Sequence, residues 1–528
     1  MLTSVGSEQS IGRLHQDILW KIFTENTNED EPLTTARRSS QVCRQWRTIV
    51  LQSASIWGRS IDLDDLHQKT DDWRQEVISR TGQSLLWIFG SLSPDTLHFF
   101  VPFIAQNWKR VRMLGIDDFD INPEEDRQRI WAFLEQPAPN LQMMDIALSP
   151  SGDDNAGILP ACLFNDHAPA LEEFIVSAAT YKFAANASWL PNLRKFTLCE
   201  AFSTMEIFKI LQRMPLLESL HITSSYSLQE TGILNLPPIN LPKLNSLTLR
   251  GHFVNFLSIL ESVMPSSDCG LGILGDPSVW TPVEDNGENE RLQNGVMKHI
   301  IPFLTLYPPT TVHCFISEET LKFQADNAPR GHRSFYFPIN LHFIDSPPVK
   351  KLISSSCFSS TQELKLGLWG PREGFNNLTL SNNTTMAVPT ITCLLQTFSS
   401  ITTLSTVDMV LDTLLKYPAF DPTNAFILFP ALQVLKIADP HRPRSANEMA
   451  AHHRFLKYRY DVAFPISVLE IRVSEDWEAF DIDYLEEHHG LLIKWTNIPD
   501  VDGVGEYRCG DGRPEQLRFT TVKLESMK

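Results

Sequence analysis

Apolar residues recur every three or four positions at the front of this chain. Leu14, Ile18 with Leu19, and Ile22 with Phe23 keep a spacing of four, which puts one apolar stripe along a helix. Val42, Trp46 and Ile49 or Val50 repeat the pattern over Ser40–Val50. Between them, Asn26–Pro32 collects Asn, Asp, Glu and Pro, a composition that favours a solvated turn. Two amphipathic helices this short cannot each bury a face alone. They are expected to pack on one another and to leave apolar surface for a partner. Beyond Trp57, Arg59–Asp65 reads as a strand-like exit and Trp73–Arg80 as a helix.

Further along, one motif returns: Pro-x-Leu-x-x-(Leu/Phe/Met)-x-(Leu/Ile/Val). Its copies begin at Pro139, Pro169, Pro191, Pro215, Pro242 and Pro430. The first five prolines lie 22 to 30 residues apart, close to the leucine-rich-repeat period of about 20–29 residues. Val111–Ile116 reads as an earlier, degenerate copy, and Leu364–Leu368 and Ser467–Val473 as later ones. Helical stretches fill the intervals. Pro123–Glu135 opens with proline and acids, which suits a helix N-terminus. Phe202–Met214 and Phe253–Met264 stop at Pro215 and Pro265, which cannot continue a helix. Each repeat is therefore expected to be a strand with a return helix, stable only when stacked on its neighbours. The pattern lapses from Ser266 to Lys350. Loops are expected near 276–294, over Gln324–Ser334, near 372–385 and at His441–Ser445, with a helix near Ala446–Tyr458.

At 528 residues the chain calls for two or more domains or one elongated array. Its net charge of −18 argues against nucleic acid as partner, because phosphate binding needs a Lys/Arg excess. Met1–Ser10 is polar and holds no apolar leader, and no run of about 18 apolar residues reads as a membrane span. A cytoplasmic or nuclear location is expected. The eight cysteines are scattered and never form C-x-x-C, so they read as small buried residues in a reducing compartment.

Little in the sequence offers chemistry. Gly270-Leu271-Gly272-Ile273-Leu274-Gly275 spells G-x-G-x-x-G, but Asp276-Pro277 follows where a dinucleotide site needs a helix to open. His452-His453 and Glu486-Glu487-His488-His489 gather metal-capable side chains, yet adjacent residues on a helix diverge by about 100°, so they read as solvated pairs. Asp62-Leu63-Asp64-Asp65 reads as a charged turn. Arg37, Arg38, Arg44 and Arg47 make the second helix locally basic. No nucleophile–base pair stands out, and no catalytic residue, metal or cofactor is expected.

The opening Leu14-x-x-x-Ile18-Leu19-x-x-Ile22-Phe23, the later Val42-Cys43-Arg44-x-Trp46-Arg47 and the closing Trp57 together resemble an F-box. The family usually has proline at the second position, where this chain has His15. With the repeats behind it, the layout resembles fungal-type F-box proteins that carry leucine-rich repeats. The resemblance implies an α/β fold: a helical F-box over residues 11–58, after a disordered N-terminus over 1–10. An irregular leucine-rich-repeat solenoid, a curved parallel sheet with return helices, would span 59–500, and a polar tail 501–528. It implies a non-catalytic substrate receptor of a Skp–cullin–F-box ubiquitin ligase. Leu14, Ile18, Leu19, Ile22, Phe23, Val42, Trp46 and Trp57 would contact the Skp-family adaptor, and through it a cullin, or form the core that presents those contacts. Strand alternation would turn Asp145, Glu173, Lys195, His221, Arg250 and Lys436 toward a target protein. The alternative is a repeat scaffold that binds proteins without assembling a ligase.

Overall fold

Helix boundaries at the front of the chain follow from local capping. In the computed structural model α1 spans Gln16–Glu25, and the His15 imidazole at its N-cap accepts from the Asp17 amide at 3.4 Å. α2 spans Pro32–Val42, with Pro32 in the first turn where a missing N–H costs nothing. α3 spans Arg44–Gln52 and α4 Ala54–Gly58. The stretch Ser40–Val50 is thus not one helix as expected. Cys43 is extended (φ −156°, ψ 171°) and ends α2; its sulfur then accepts from the Trp46 amide at the head of α3.

The structure describes residues 14–28, 31–67, 70–118, 130–148, 159–160, 162–177, 181–199, 202–224, 236–251, 256–274, 288–316, 320–326, 334–340, 346–368, 393–415, 427–438, 440, 449–472, 481–496 and 505–519. The expected loop near 372–385 lies outside them. Two compact units emerge, one of Met1–Leu244 with Ser262–Pro265 and the other of Asn245–Glu261 with Ser266–Lys528. Both are mixed α/β, with mainly parallel strands and helices.

In the first unit, β1 (Ile61–Asp62) pairs in parallel with β2 (Leu86–Ser91). Then come β3 (Val111–Asp118), β4 (Met143–Leu148), β5 (Glu173–Ser177), β6 (Lys195–Leu198) and β7 (Ser219–Ser224), each parallel to the one before. The register is set by the repeated motif. Leu114, Met144, Phe174, Phe196 and Leu220 stand side by side across five strands, all buried. Helices α5 (Leu63–His67), α6 (Asp71–Arg80), α7 (Pro94–Asn107) and α8 (Thr204–Leu211) also belong to this unit, as does a separate parallel pair of strands, Ile239–Leu241 and Val263–Pro265. Asp62 Oδ1 accepts from the Asp64 and Asp65 amides, so this acidic turn starts α5.

Return helices are not uniform. The segments after β3, β4 and β5 end in short 3-10 turns at Ala132–Glu135, Leu163–Asp166 and Leu190–Asn192. Each carries or adjoins a large buried ring: Phe133, Phe164 and Trp189. Trp108 meets Phe133 with centroids 4.7 Å apart, and Phe164 meets Trp189 at 5.8 Å. Trp108 and Phe164 also stack at 6.4 Å, so these rings form one buried aromatic layer.

The second unit begins with β8 (Ser246–Gly251) and α9 (Leu257–Ser262), then β9 (Gly270–Leu274), which pairs in parallel with β8. The G-x-G-x-x-G stretch is therefore mostly strand. α10 (Glu288–Leu306) starts inside the loop expected near 276–294, because its apolar residues keep a helical period on one side. β10 (Thr311–Ile316), β11 (Thr320–Asp326) and β12 (Ser334–Asn340) form an antiparallel meander. Its last strand lies parallel to β9 and its first parallel to β13 (Glu363–Leu368), after α11 (Pro347–Ser354). Gln324 and Ser334, expected in a loop, sit on β11 and β12.

From β13 the parallel series resumes through β14 (Thr403–Thr406), β15 (Val434–Ala438), β16 (Val468–Arg472) and β17 (Leu492–Thr496). Leu364, Leu404, Leu435, Leu469 and Ile493 form its buried row. α12 (Asp408–Leu415) and α13 (Ala451–Asp461) flank it. The polar tail expected from 501 is instead built into the fold where described. β18 (Gly505–Arg508) pairs antiparallel with β17, and Tyr507, Cys509, Leu517 and Phe519 are buried. Among the cysteines, Cys43, Cys162 and Cys393 are exposed rather than buried. Among the described residues, no helix is long and apolar enough to cross a membrane.

Candidate functional site

The eight residues singled out at the front of the chain separate into two sets. Leu19, Phe23 and Trp57 are core. The Trp57 indole N–H donates to the Val50 carbonyl at 2.8 Å, and the Arg80 guanidinium lies 5.0 Å from its ring centroid. Trp46 is half-buried and packs its ring on Phe23. Leu14 is half-buried ahead of α1. The others face outward: Ile18 is 50% exposed, Ile22 39% and Val42 61%. Ile18 and Ile22 are one turn apart on α1 and so share a face. Trp20, which sequence reasoning passed over, is also exposed. Each large aliphatic left in water forgoes roughly 1.5–3 kcal/mol that burial would return.

Arg37, Arg38, Arg44 and Arg47 are exposed but do not share one helix, since Cys43 divides them between α2 and α3. Arg47 Nε donates to the Ser40 carbonyl at 3.1 Å and ties those helices together.

The residues expected to face a target divide between the two units. In the first, Glu173 on β5 and Lys195 on β6 are Cα partners and pair at 3.0 Å. Asp145 on β4 is half-buried; burial, then the charges of Asp117 and Glu173, push its carboxyl above the usual range, and Lys195 opposes them. His221 on β7 stands beside Thr197 of β6. Thr197, two residues after Lys195 and so on the same face by strand alternation, is nevertheless buried. In the second unit, Arg250 is exposed on β8. Lys436 on β15 lies 3.5 Å from Glu363 and 3.9 Å from Glu470. Burial alone would raise the Glu363 carboxyl, but the Ser405 hydroxyl and the Lys436 and Lys365 charges outweigh it and hold it low.

One cluster brings together the two histidine segments that the sequence reads as separate, solvated pairs. Of these histidines, His452, His453 and His488 are drawn into the second unit's packing, while His489 stays exposed. His452 is fully buried; its Nδ1 lies 2.8 Å from Asp408 Oδ1 and its Nε2 2.8 Å from the Tyr484 hydroxyl. His453 Nε2 lies 2.5 Å from Glu487 Oε1, and the His453 ring stacks on Tyr484 with centroids 5.0 Å apart. His488 meets the His453 ring edge-on at 5.2 Å. Burial, then the neighbouring His453, holds the His488 imidazole below its usual value, against the pull of Glu487. The Glu487 carboxyl is held low chiefly by its hydrogen bond to His453. Partners 34 residues apart in sequence leave no local spacing to detect; the one clue was that both segments carry a histidine doublet. Compared with known proteins, the chain matches no protein-family model and no curated protein.

Proposed function

We propose that the chain is the substrate-recognition subunit of a Skp–cullin–F-box ubiquitin ligase. In this reading residues 11–58 are the F-box, which docks a Skp-family adaptor, and the strand repeats over 59–500 form a leucine-rich-repeat solenoid that holds a target protein. The chain supplies proximity between target and conjugating enzyme and performs no bond-making itself.

The observation that carries the reading is the outward placement of Ile18, Ile22 and Val42 on helices whose opposite faces are already buried. Aliphatic side chains so exposed on packed helices fit a surface that a partner covers. The aligned strands add rows of charged side chains, including Glu173, Lys195 and Lys436, for a second protein.

The test is co-purification with a Skp-family adaptor. The double variant Ile18→Asp, Val42→Asp places charge where burial is expected and should weaken the complex at least about tenfold per site, given roughly 1.5–3 kcal/mol per buried aliphatic. Adaptor binding that ignores both substitutions would sink this reading. A chain that never takes up adaptor yet captures a target would be a repeat scaffold instead.

A further inference from the structure

We propose that His453, Glu487 and His488 form a binding site for a divalent transition-metal ion of the zinc class. This goes beyond the ligase reading and does not depend on it. One ligand atom from each residue converges so that all three lie within 4.8 Å of one another. Zinc bonds of about 2.0–2.2 Å would set such atoms roughly 3.3 Å apart. His453 Nε2 and Glu487 Oε1 are closer than that, at 2.5 Å, and His488 Nε2 and Glu487 Oε1 farther, at 3.9 Å. An ion taking the place of the proton between His453 and Glu487 widens the first distance and draws in the second. Because the Glu487 side chain is exposed, it can make both adjustments without disturbing the core.

The donor set selects the ion. Two imidazoles and one carboxylate match zinc and its first-row neighbours, whereas calcium and magnesium call for oxygen ligands throughout. The surroundings are those of a held site. Tyr484 stacks on His453, and the Tyr484 hydroxyl is bound to His452, which Asp408 fixes in turn. Such outer contacts orient a ligating imidazole. Among the described residues, His488 Nε2 is buried without a hydrogen-bond partner, a costly state for a ring nitrogen unless something binds there. His488 also lines an open cleft of about 380 Å³, together with Leu456, Tyr460 and Arg508. Three protein ligands leave the fourth tetrahedral position to water from that side. The bound ion would clip α13 to the 3-10 turn at Asp483–Glu487.

Co²⁺ titration of the full chain, tag-free and stripped with chelator, tests this. Wild-type protein should bind one ion and develop the strong visible bands of four-coordinate Co²⁺, displaced by Zn²⁺. His453→Ala and His488→Ala should each weaken binding by more than about a hundredfold, since loss of outer contacts alone costs about 10–100-fold. Glu487→Gln alters only an exposed carboxylate, so it keeps the test sound if a histidine variant misfolds; it should weaken binding as well. His489→Ala, next in sequence and exposed, should bind as wild type. The proposal falls if wild-type chain takes up neither ion at micromolar concentration. It also falls if uptake survives both Glu487→Gln and His488→Ala.

Discussion

The rings of Phe23 and Trp46 meet in a T-shaped pair, centroids 4.9 Å apart and planes at 68°. One ring belongs to α1 and the other to α3, so this contact sets how the two helices cross while Ile18 and Ile22 remain outside it. Core and surface roles should therefore separate by mutation. Trp46→Ala should destabilise the first unit by about 1–3 kcal/mol, through lost burial and the lost aromatic pair. Ile18→Asp should stay within about 0.5 kcal/mol of wild type. Urea unfolding of both variants decides the matter; equal midpoints would contradict this division.

Gly58 ends α4 hard against the start of β2. A methyl group there would sit 2.5 Å from the Leu85 carbonyl oxygen, and the neighbouring Ser84 hydroxyl is already committed to the Ala54 carbonyl at 2.8 Å. Backbone cannot yield as a flexible side chain can. Gly58→Ala is expected to cost about 1–3 kcal/mol through overpacking, read as a lower Tm together with faster amide exchange along α4. An unchanged Tm would mean that α4 shifts freely.

His299 on α10 is buried, and its Nε2 lies 3.1 Å from the Leu260 carbonyl of α9. A carbonyl only accepts, so Nε2 carries the hydrogen. Burial holds this imidazole below its usual value; the Leu260 carbonyl opposes the shift and Lys298 adds to it. The folded chain thus refuses a proton that the unfolded chain accepts near pH 6.5. Stability of the second unit should fall as pH drops through that value and level off below the folded value. His299→Gln should flatten this part of the curve in denaturant titrations at stepped pH. A variant with the wild-type slope would show that other groups set it.

How much of this could be read from the chain depends on where the determining contacts lie. The motif copies placed Leu141, Met144 and Ile146, and their counterparts, at inward positions, and these residues are buried. There the signal is local: alternation along a strand and a proline before it. The meander β10–β12 keeps that alternation, with Val312, Cys314, Phe335, Phe337 and Ile339 buried, but it lacks the proline-led motif that marks the copies. Lys322 lies buried on β11 beside Phe323, and a lysine at such a position does not announce a strand. β18 reads as tail because Gly505, Glu506 and Arg508 surround Tyr507, the one side chain of the strand that packs inward. At the front of the chain the apolar stripe was legible, but not its division into buried and exposed halves. That division rests on α1 packing against α3, as at Phe23 and Trp46, a tertiary contact. The histidine cluster likewise needs α13 and the turn at 483–487 to meet.

The short strand β18 has an effect beyond its own four residues. Because it runs antiparallel against β17, it occupies the hydrogen-bonding groups that a parallel series of strands leaves open at its last member. It also sets Glu506 and Arg508 along that rim. Charged residues on a terminal strand discourage another chain from adding its own strand there. A protein trimmed after Thr496 would keep the repeats yet bare an adhesive margin, and self-association would then compete with its recognition of anything else.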